Sequence, residues 1–390
     1  QALSCPGCGA DDGEVFCSTS RAPVLCHLRY TDPDDARAAP TGRISLARCA
    51  NCGLVYNRDF EPAKMSYEVS YDNALHFSAH FRQYASELAT DLCQRHDLHN
   101  KLVVDIGCGD GYFLKLLCET GANRGWGFDP TAYESLETSA DVRLIRGYFD
   151  ADQLPEKPRL ISCRHVLEHL PEPEPLLREI RQACEPMQTI VYFEVPDARF
   201  TLERGGLWDI LYEHCSYYTP STIRLLFERN GFHVNRVGSS YHGQFLQLEA
   251  VAVEAGSPAE STDSVTGQSV NDTAESVRTF SDQFRQSIAD WQDRFQSLHR
   301  EGKRVVLWGA GTKGVMVLNM AGCYDAVSGV VDLNPGKHGT FIAGTEVPVV
   351  SPDSLTTSPP DIVVLTNPAY RNEISRHLSS LGLEPRLLSL

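Results

Sequence analysis

Three observations along the 390-residue chain predict an α/β fold in three parts. The first is a pair of C-x2-C-G knuckles, CPGCG from Cys5 and CANCG from Cys49. The second is VVDIGCGDGYFL followed by GWGFDP: a strand, a glycine loop, a helix and a second strand ending on an acid. The third repeats that order further on, KRVVLWGAGTKG and then VSGVVDLNP. They predict a zinc-binding lobe in residues 1–60 and a central Rossmann-like sheet in 61–255. A linker and amphipathic helix in 256–300 and a C-terminal Rossmann-like domain in 301–390 complete the expected order.

The four cysteines of the knuckles, Cys5, Cys8, Cys49 and Cys52, supply the soft ligands of a tetrahedral Zn2+ site. Each glycine beyond a knuckle relieves a tight backbone. Four thiolates leave no open position for water, so the metal is expected to stabilise and not to catalyse. Cys17, Cys26 and His27 lie between the knuckles and are expected to be bystanders.

Leu102–Asp105 is a short apolar run, and Gly107, Gly109 and Gly111 follow it with G-x-G-x-G spacing. That spacing differs from the dinucleotide fingerprint G-x-G-x-x-G. A helix is predicted from about Tyr112 to Glu119, and its start offers free N–H groups to a ligand. Asp129 ends the next strand, where an acid can accept hydrogen bonds from a ribose diol.

VVDIGCGDGYFL, Asp129 and ISCRHVLEHLPEPEPLLREI at 161–180 together resemble a class I S-adenosylmethionine-dependent methyltransferase. The resemblance implies a class I methyltransferase Rossmann-like sheet. It places Asp105, Gly107, Cys108 and Gly109 under the methionine part of the cofactor and Asp129 on the ribose. It puts Asp150 or Ala151 near the adenine, and His165 and His169 at the boundary between cofactor and substrate. His165 and His169 share a face if they open a helix, but H-x-x-x-H without a third ligand is a weak metal signal. IVYFEVPD at 190–197 reads as the next strand, with Glu194 near the ligand crevice at its end.

LYEHCSYYT, Leu211 to Thr219, precedes a helix announced by Thr219-Pro220-Ser221 and stopped at Gly231. The knuckles, the central motifs, this stretch and the C-terminal repeat resemble, in that order, the zinc-containing C-methyltransferases of nucleotide-linked keto-deoxysugars. The resemblance covers nearly the whole chain. It carries Asp209, Tyr212, Glu213, His214 and Tyr217 to the carbon being methylated. The family usually shows Tyr-His-Glu-His where this chain has Leu211-Tyr212-Glu213-His214. A carbon accepts a methyl only as an enolate, so a base of near-neutral pKa is needed beside a ketone, and His214 fits. Glu213 is expected to orient the ring or hold a sugar hydroxyl. Tyr212 or Tyr217 is expected to donate to the enolate oxygen.

Gly256–Thr273 reads as an exposed connection. Val277, Phe280, Phe284, Ile288, Trp291, Phe295 and Leu298 then recur every three or four residues, predicting a helix from near Asp272 to Arg300. Beyond it Gly309, Gly311 and Gly314 do match G-x-G-x-x-G, and Asp332 ends the next strand. The resemblance assigns this domain to the nucleotide of the activated sugar. Lys313, Asp332, Asn367 and Tyr370 are its candidate contacts.

Composition sets the limits. The chain is 42% apolar and 22% charged, ordinary for a globular protein, and its net charge of −16 disfavours nucleic acid and anionic membrane as partners. A small anionic substrate needs only a local basic patch. No run approaches eighteen apolar residues, so no membrane-spanning helix is expected. Thirteen scattered cysteines and no visible targeting segment give a cytoplasmic expectation. The oligomeric state is open. The favoured reading is C-methylation of a nucleotide-linked keto-deoxysugar with S-adenosylmethionine. The alternatives are O- or N-methylation of another metabolite, an NAD-dependent oxidoreductase, and a non-catalytic nucleotide-binding module.

Overall fold

The knuckles bracket a small antiparallel sheet in the computed structural model, which describes residues 2–65, 74–132, 137–139, 141–254 and 263–390. Its first strand is Glu14–Pro23 (β1). After the short helix Pro33–Arg37 (α1), capped by the Asp32 side chain, come Thr41–Arg48 (β2) and Val55–Asn57 (β3). Both glycines that follow a knuckle, Gly9 and Gly53, have the left-handed φ that the tight turn requires (+73° and +77°).

Ala79–Arg95 (α2) leads into the central sheet, which begins at Leu102–Ile106 (β4). Every residue of β4 is buried, as expected for a parallel strand covered on both faces. Tyr112–Gly121 (α3), Arg124–Asp129 (β5), Glu137–Ser139 (β6) and Val142–Arg146 (β7) follow. The chain then crosses to the other side of β4 with Leu160–Arg164 (β8), Glu174–Ala183 (α4) and Ile190–Pro196 (β9). Ala198–Glu203 (α5), Ser216–Tyr217 (β10), Pro220–Arg229 (α6), Phe232–Ser240 (β11) and Phe245–Ala252 (β12) complete this region. The sheet order is β11-β12-β9-β8-β4-β5-β7-β6, with β9, β8, β4, β5 and β7 parallel. The reversal beside β4 is the topological switch point at which open α/β sheets bind ligands.

β10 does not join this sheet. It pairs with β3, Ser216 opposite Tyr56 and Tyr217 opposite Val55, as the fourth strand of the N-terminal sheet. α6 starts where expected: the Thr219 side chain accepts from Thr222 N–H and Pro220 takes the first turn.

Residues 256–262 of the expected connection lie outside the described residues. Asp263–Thr273 is not extended but helical: Asp263–Arg300 (α7) is one helix of 38 residues, begun nine residues before the expected Asp272. The early turns are held by contacts invisible in local composition. Ser269, fully buried, donates from its hydroxyl to the Cys52 carbonyl at 2.6 Å. Later turns bury Phe280, Phe284, Trp291 and Phe295 in a core shared with Ile44, Leu46 and Val55 on one side and Val305, Leu307 and Met316 on the other. The aromatic stripe therefore joins the N-terminal sheet to the C-terminal one.

The C-terminal sheet is five-stranded and wholly parallel. It comprises Val305–Trp308 (β13), Gly329–Val331 (β14), Val349–Val350 (β15), Ile362–Leu365 (β16) and Arg386–Ser389 (β17), in the order β15-β14-β13-β16-β17. Thr312–Ala321 (α8) and Arg371–Ser380 (α9) are its helices. A Cβ at Gly314 would stand 2.3 Å from the Gly309 carbonyl oxygen, so the third glycine allows α8 to close on the loop.

Candidate active site

A cavity of about 1320 Å³ runs from the C-terminal ends of β4, β5 and β8 to the glycine loop after β13. Single-ligand pockets occupy about 300–1,000 Å³, so this one has room for two ligands side by side.

Its first end is built by the loop after β4. Gly107 and Gly109 both have positive φ (+71° and +55°), and a Cβ at Gly107 would meet Val166 at 2.1 Å. Gly109 N–H donates to Asp129 Oδ2 at 2.9 Å, while Thr131 N–H and hydroxyl donate to Oδ1 at 2.7 and 2.6 Å. Those bonds fix the Asp129 carboxylate at the cavity wall and leave lone pairs for a diol. Asp105 accepts from the Ser162 hydroxyl at 2.6 Å, and burial pushes its pKa up to about 6. Cys108 also lines the cavity. Asp150 does not. Its carboxylate caps a short turn, accepting from Asp152 N–H, and Tyr148, Phe149 and Glu179 form the wall where Asp150 was expected. The cavity wall here is made by these neighbouring groups and not by the predicted acid.

His165 and His169 do not share a helical face. His165 has φ +55°, Leu167–His169 is a single 3-10 turn, and α4 begins only at Glu174. Both rings nevertheless line the cavity. Glu194 is a correction to the predicted substrate contacts: it is fully buried beneath the cavity floor. Arg164 Nε and Nη2 donate to its Oε1 at 3.0 and 2.8 Å, His165 Nε2 lies 3.3 Å away, and the Tyr84 hydroxyl donates to Oε2. Burial alone would raise its pKa, but Arg164 and His165 hold it well below the usual carboxylate range. Burial likewise disfavours charge on His165, yet Glu168 and Glu194 outweigh it and lift its pKa to about 9. Arg164, whose guanidinium lies 4.2 Å over the Phe113 ring, was missed because it reads as an ordinary strand-end arginine.

On the middle wall stands His214, its side chain 12% exposed. Its ring is 4.8 Å from that of His169 and 6.2 Å from that of Tyr217. Burial first, and then the neighbouring His169 and His165, push its pKa well below the ordinary value, a departure from the near-neutral base that the sequence predicts. The other predicted residues of this stretch turn away from the cavity. Glu213 is fully buried and accepts from Cys26 N–H at 2.6 Å. Tyr212 packs on Phe60 at 5.5 Å, and its hydroxyl accepts from Glu61 N–H at 2.9 Å. The Tyr217 hydroxyl donates to the Leu211 carbonyl at 3.2 Å. The reason is the pairing of β10 with β3, which aims these side chains into the core of the N-terminal lobe. Leu211 does line the cavity.

The far wall comes from the C-terminal sheet. Lys313 lines it with its ammonium 2.6 Å from Asp209. Asp332 accepts from Ala310 N–H at 2.8 Å, ordering the glycine loop. Asn367 exchanges hydrogen bonds with Gln244 (2.9 and 3.2 Å), and the Tyr241 hydroxyl donates to that of Tyr370 at 2.6 Å. Both pairs sit at the seam with the central sheet. Two further residues escaped sequence reasoning. His27, expected as a bystander, lines the cavity with Nε2 3.0 Å from the Thr312 hydroxyl. Lys337, only 8% exposed, donates to the Ala310 carbonyl at 3.2 Å. Neither carries a local motif; folding alone brings them there.

Away from the cavity the four knuckle sulfurs converge. Cys5 and Cys52 are 3.5 Å apart, as are Cys8 and Cys49, and one atom from each of the four lies within 4.8 Å of the others. Bonds of ~2.3 Å to one tetrahedral ion require sulfur separations of ~3.8 Å, close to this spacing.

Comparisons with known proteins agree with this geometry. A methyltransferase domain family matches residues 78–237, and a C-methyltransferase C-terminal domain family matches 262–383. The chain is 25% identical to C-methyltransferase NovU of Streptomyces niveus, over 95% of this chain and 90% of that one. A 101-residue stretch is 30% identical to the ubiquinone biosynthesis O-methyltransferase of Pseudomonas aeruginosa, covering 24% of this chain and 44% of that protein. Among solved structures, magnesium protoporphyrin IX methyltransferase from Synechocystis with bound SAH matches at 21% identity, over 47% of this chain and 91% of that one, with a TM-score of 0.34. With the glycine loop, the acid-ended strand and the switch-point cavity in place, the chain carries a class I S-adenosylmethionine-dependent methyltransferase domain over residues 78–237, followed by a C-methyltransferase C-terminal domain.

Proposed function

We propose that the protein methylates a carbon beside the ketone of a nucleotide-linked keto-deoxysugar. One observation carries the reading: His214 faces a single cavity that continues from the Gly107–Gly109 loop to Lys313. S-adenosylmethionine, when bound, supplies an electrophilic methyl group. The fit rests on the open space at Gly109 and the anchored carboxylate of Asp129. Asp105, Gly107, Cys108 and Gly109 would hold its amino-acid part and Asp129 its ribose.

His214 takes the proton from the carbon next to the ketone, and the electron pair of that C–H bond becomes the enolate. That carbon would be the nucleophile for the methyl group that bound S-adenosylmethionine would supply. His169, whose ring meets that of His214 at 85°, keeps the base oriented toward the acceptor. Holding the base and the acceptor in one cavity makes alignment contribute much of the rate. Lys313 and the N-terminus of α8 face the position suited to the diphosphate. Asn367 and Tyr370 border the nucleotide beyond it. The knuckle sulfurs would hold Zn2+ as a closed structural site, and its chemistry there is to cross-link the lobe.

The full-length match to a protein named a C-methyltransferase supports carbon as the acceptor. One observation favours O-methylation as a second reading: Leu211 offers no hydroxyl to an enolate oxygen at the cavity wall. Incubation in deuterium oxide with activated keto-sugars separates the two. C-methylation predicts that the acceptor α-hydrogen exchanges and that labelled methyl ends on carbon. Label on oxygen without exchange would sink the first reading.

A further inference from the structure

We propose that Glu168, His169 and His214 form a second metal site, within the cavity, for a divalent first-row transition ion. Glu168 is 1% exposed, and neither of its carboxylate oxygens accepts a hydrogen bond among the described residues. Its Oε1 lies 3.5 Å from His165 Nδ1, an ion-pair distance but too long for a good hydrogen bond, and 4.0 Å from His214 Nε2. A buried carboxylate with no hydrogen-bond donor keeps its lone pairs open to a cation.

The three side chains converge. One ligand atom from each lies within 4.8 Å of the other two. Metal–ligand bonds of ~2.1 Å bring ligand atoms to roughly 3–4 Å, so small side-chain rotations close the site. The backbone is already fixed on both sides: the Cys215 thiol donates to the Glu168 carbonyl at 3.4 Å, tying the 3-10 turn to the stretch that carries His214. Two imidazoles and a carboxylate select Co2+, Ni2+, Zn2+ or Fe2+ over Mg2+ or Ca2+, which prefer oxygen. Three protein ligands leave positions open to water or to a substrate oxygen. The sequence spacing H-x-x-x-H pointed to His165 with His169. The fold replaces His165 by His214 and supplies Glu168 as the third ligand.

The site is separate from the knuckle sulfurs and does not depend on the methyl-transfer reading. An ion bound there competes with a proton for His214 Nε2.

The test is a Co2+ titration of the full-length protein followed by visible absorption. Cobalt on thiolates gives intense sulfur-to-metal charge-transfer bands, whereas cobalt on two imidazoles and a carboxylate gives only weak ligand-field bands. The expected result is one Co2+ per chain with the weak spectrum, whatever the knuckles hold. Glu168→Gln and His169→Ala should each weaken that binding at least ~10-fold. Circular dichroism reports whether each variant folds; if Glu168→Gln does not, His169→Ala decides on the same criterion. Absence of the weak spectrum in the unmodified protein, or unchanged affinity in a folded variant, overturns the proposal.

Discussion

Glu213 and His214 are chain neighbours with opposite surroundings. Glu213 enters the lobe core and takes the Cys26 N–H, while His214 reaches the cavity. Replacing His214 by Gln is expected to lower methyl transfer by about 10²–10⁴-fold, the usual worth of a positioned acid–base group. Calorimetry should show S-adenosylmethionine binding unchanged. Glu213→Ala leaves a buried N–H without its acceptor and should cost about 1–3 kcal/mol of stability, read as a lower denaturant midpoint. The glycine loop and Asp129 were legible because their geometry is local, set by positive φ and by the end of a strand. Glu194 and Asp150 were not. A carboxylate near a strand end can face the crevice or be drawn beneath it, and for Glu194 the deciding partners, Arg164 and Tyr84, lie 30 and 110 residues away.

At the scale of elements, the end of α2 is clamped to β12 by Glu249, which accepts from Arg95 at 2.7 Å and approaches His96 at 3.0 Å. Burial would raise its pKa, but the bonds from His96 and Arg95 prevail and bring it down to about 2. A depressed carboxylate stabilises above its unfolded pKa, and the benefit is lost as pH falls through the folded value. The clamp should therefore weaken between roughly pH 4.5 and 2. Arg95 is partly solvated, so we expect about 1–2 kcal/mol. Urea midpoints measured across that range should fall less steeply in Glu249→Gln. Element types were readable wherever periodicity was strong: β4, β5, β9 and α6 all lie where the apolar runs and the Thr219 cap put them. The first turns of α7 were not, since a polar segment rich in Ser and Asp reads as a loop until Cys52 supplies its partner.

Over the whole molecule the described residues form three sheets, and α7 binds the outer two through one aromatic stripe. What sequence could not supply was their contact. The pairing of β3 with β10 spans some 160 residues and has no local signature. It links the knuckles to the stretch that carries His214. Removing two sulfurs, as in Cys49→Ser with Cys52→Ser, is expected to lower the melting temperature. Turnover should fall more than cofactor affinity, because the residues proposed to hold the ribose and methionine belong to another sheet. Parallel melting curves and cofactor titrations check this.

β10 also means that boundaries drawn along the chain misplace the functional unit. A shortened polypeptide starting at residue 61 would keep the glycine loop and Asp129 yet deprive β10, two residues after His214, of its neighbour. We expect such a fragment to take up S-adenosylmethionine by equilibrium dialysis and to transfer no methyl group. Any chimera seeking a new acceptor would therefore have to move residues 1–60 and 207–219 together, as one inherited block.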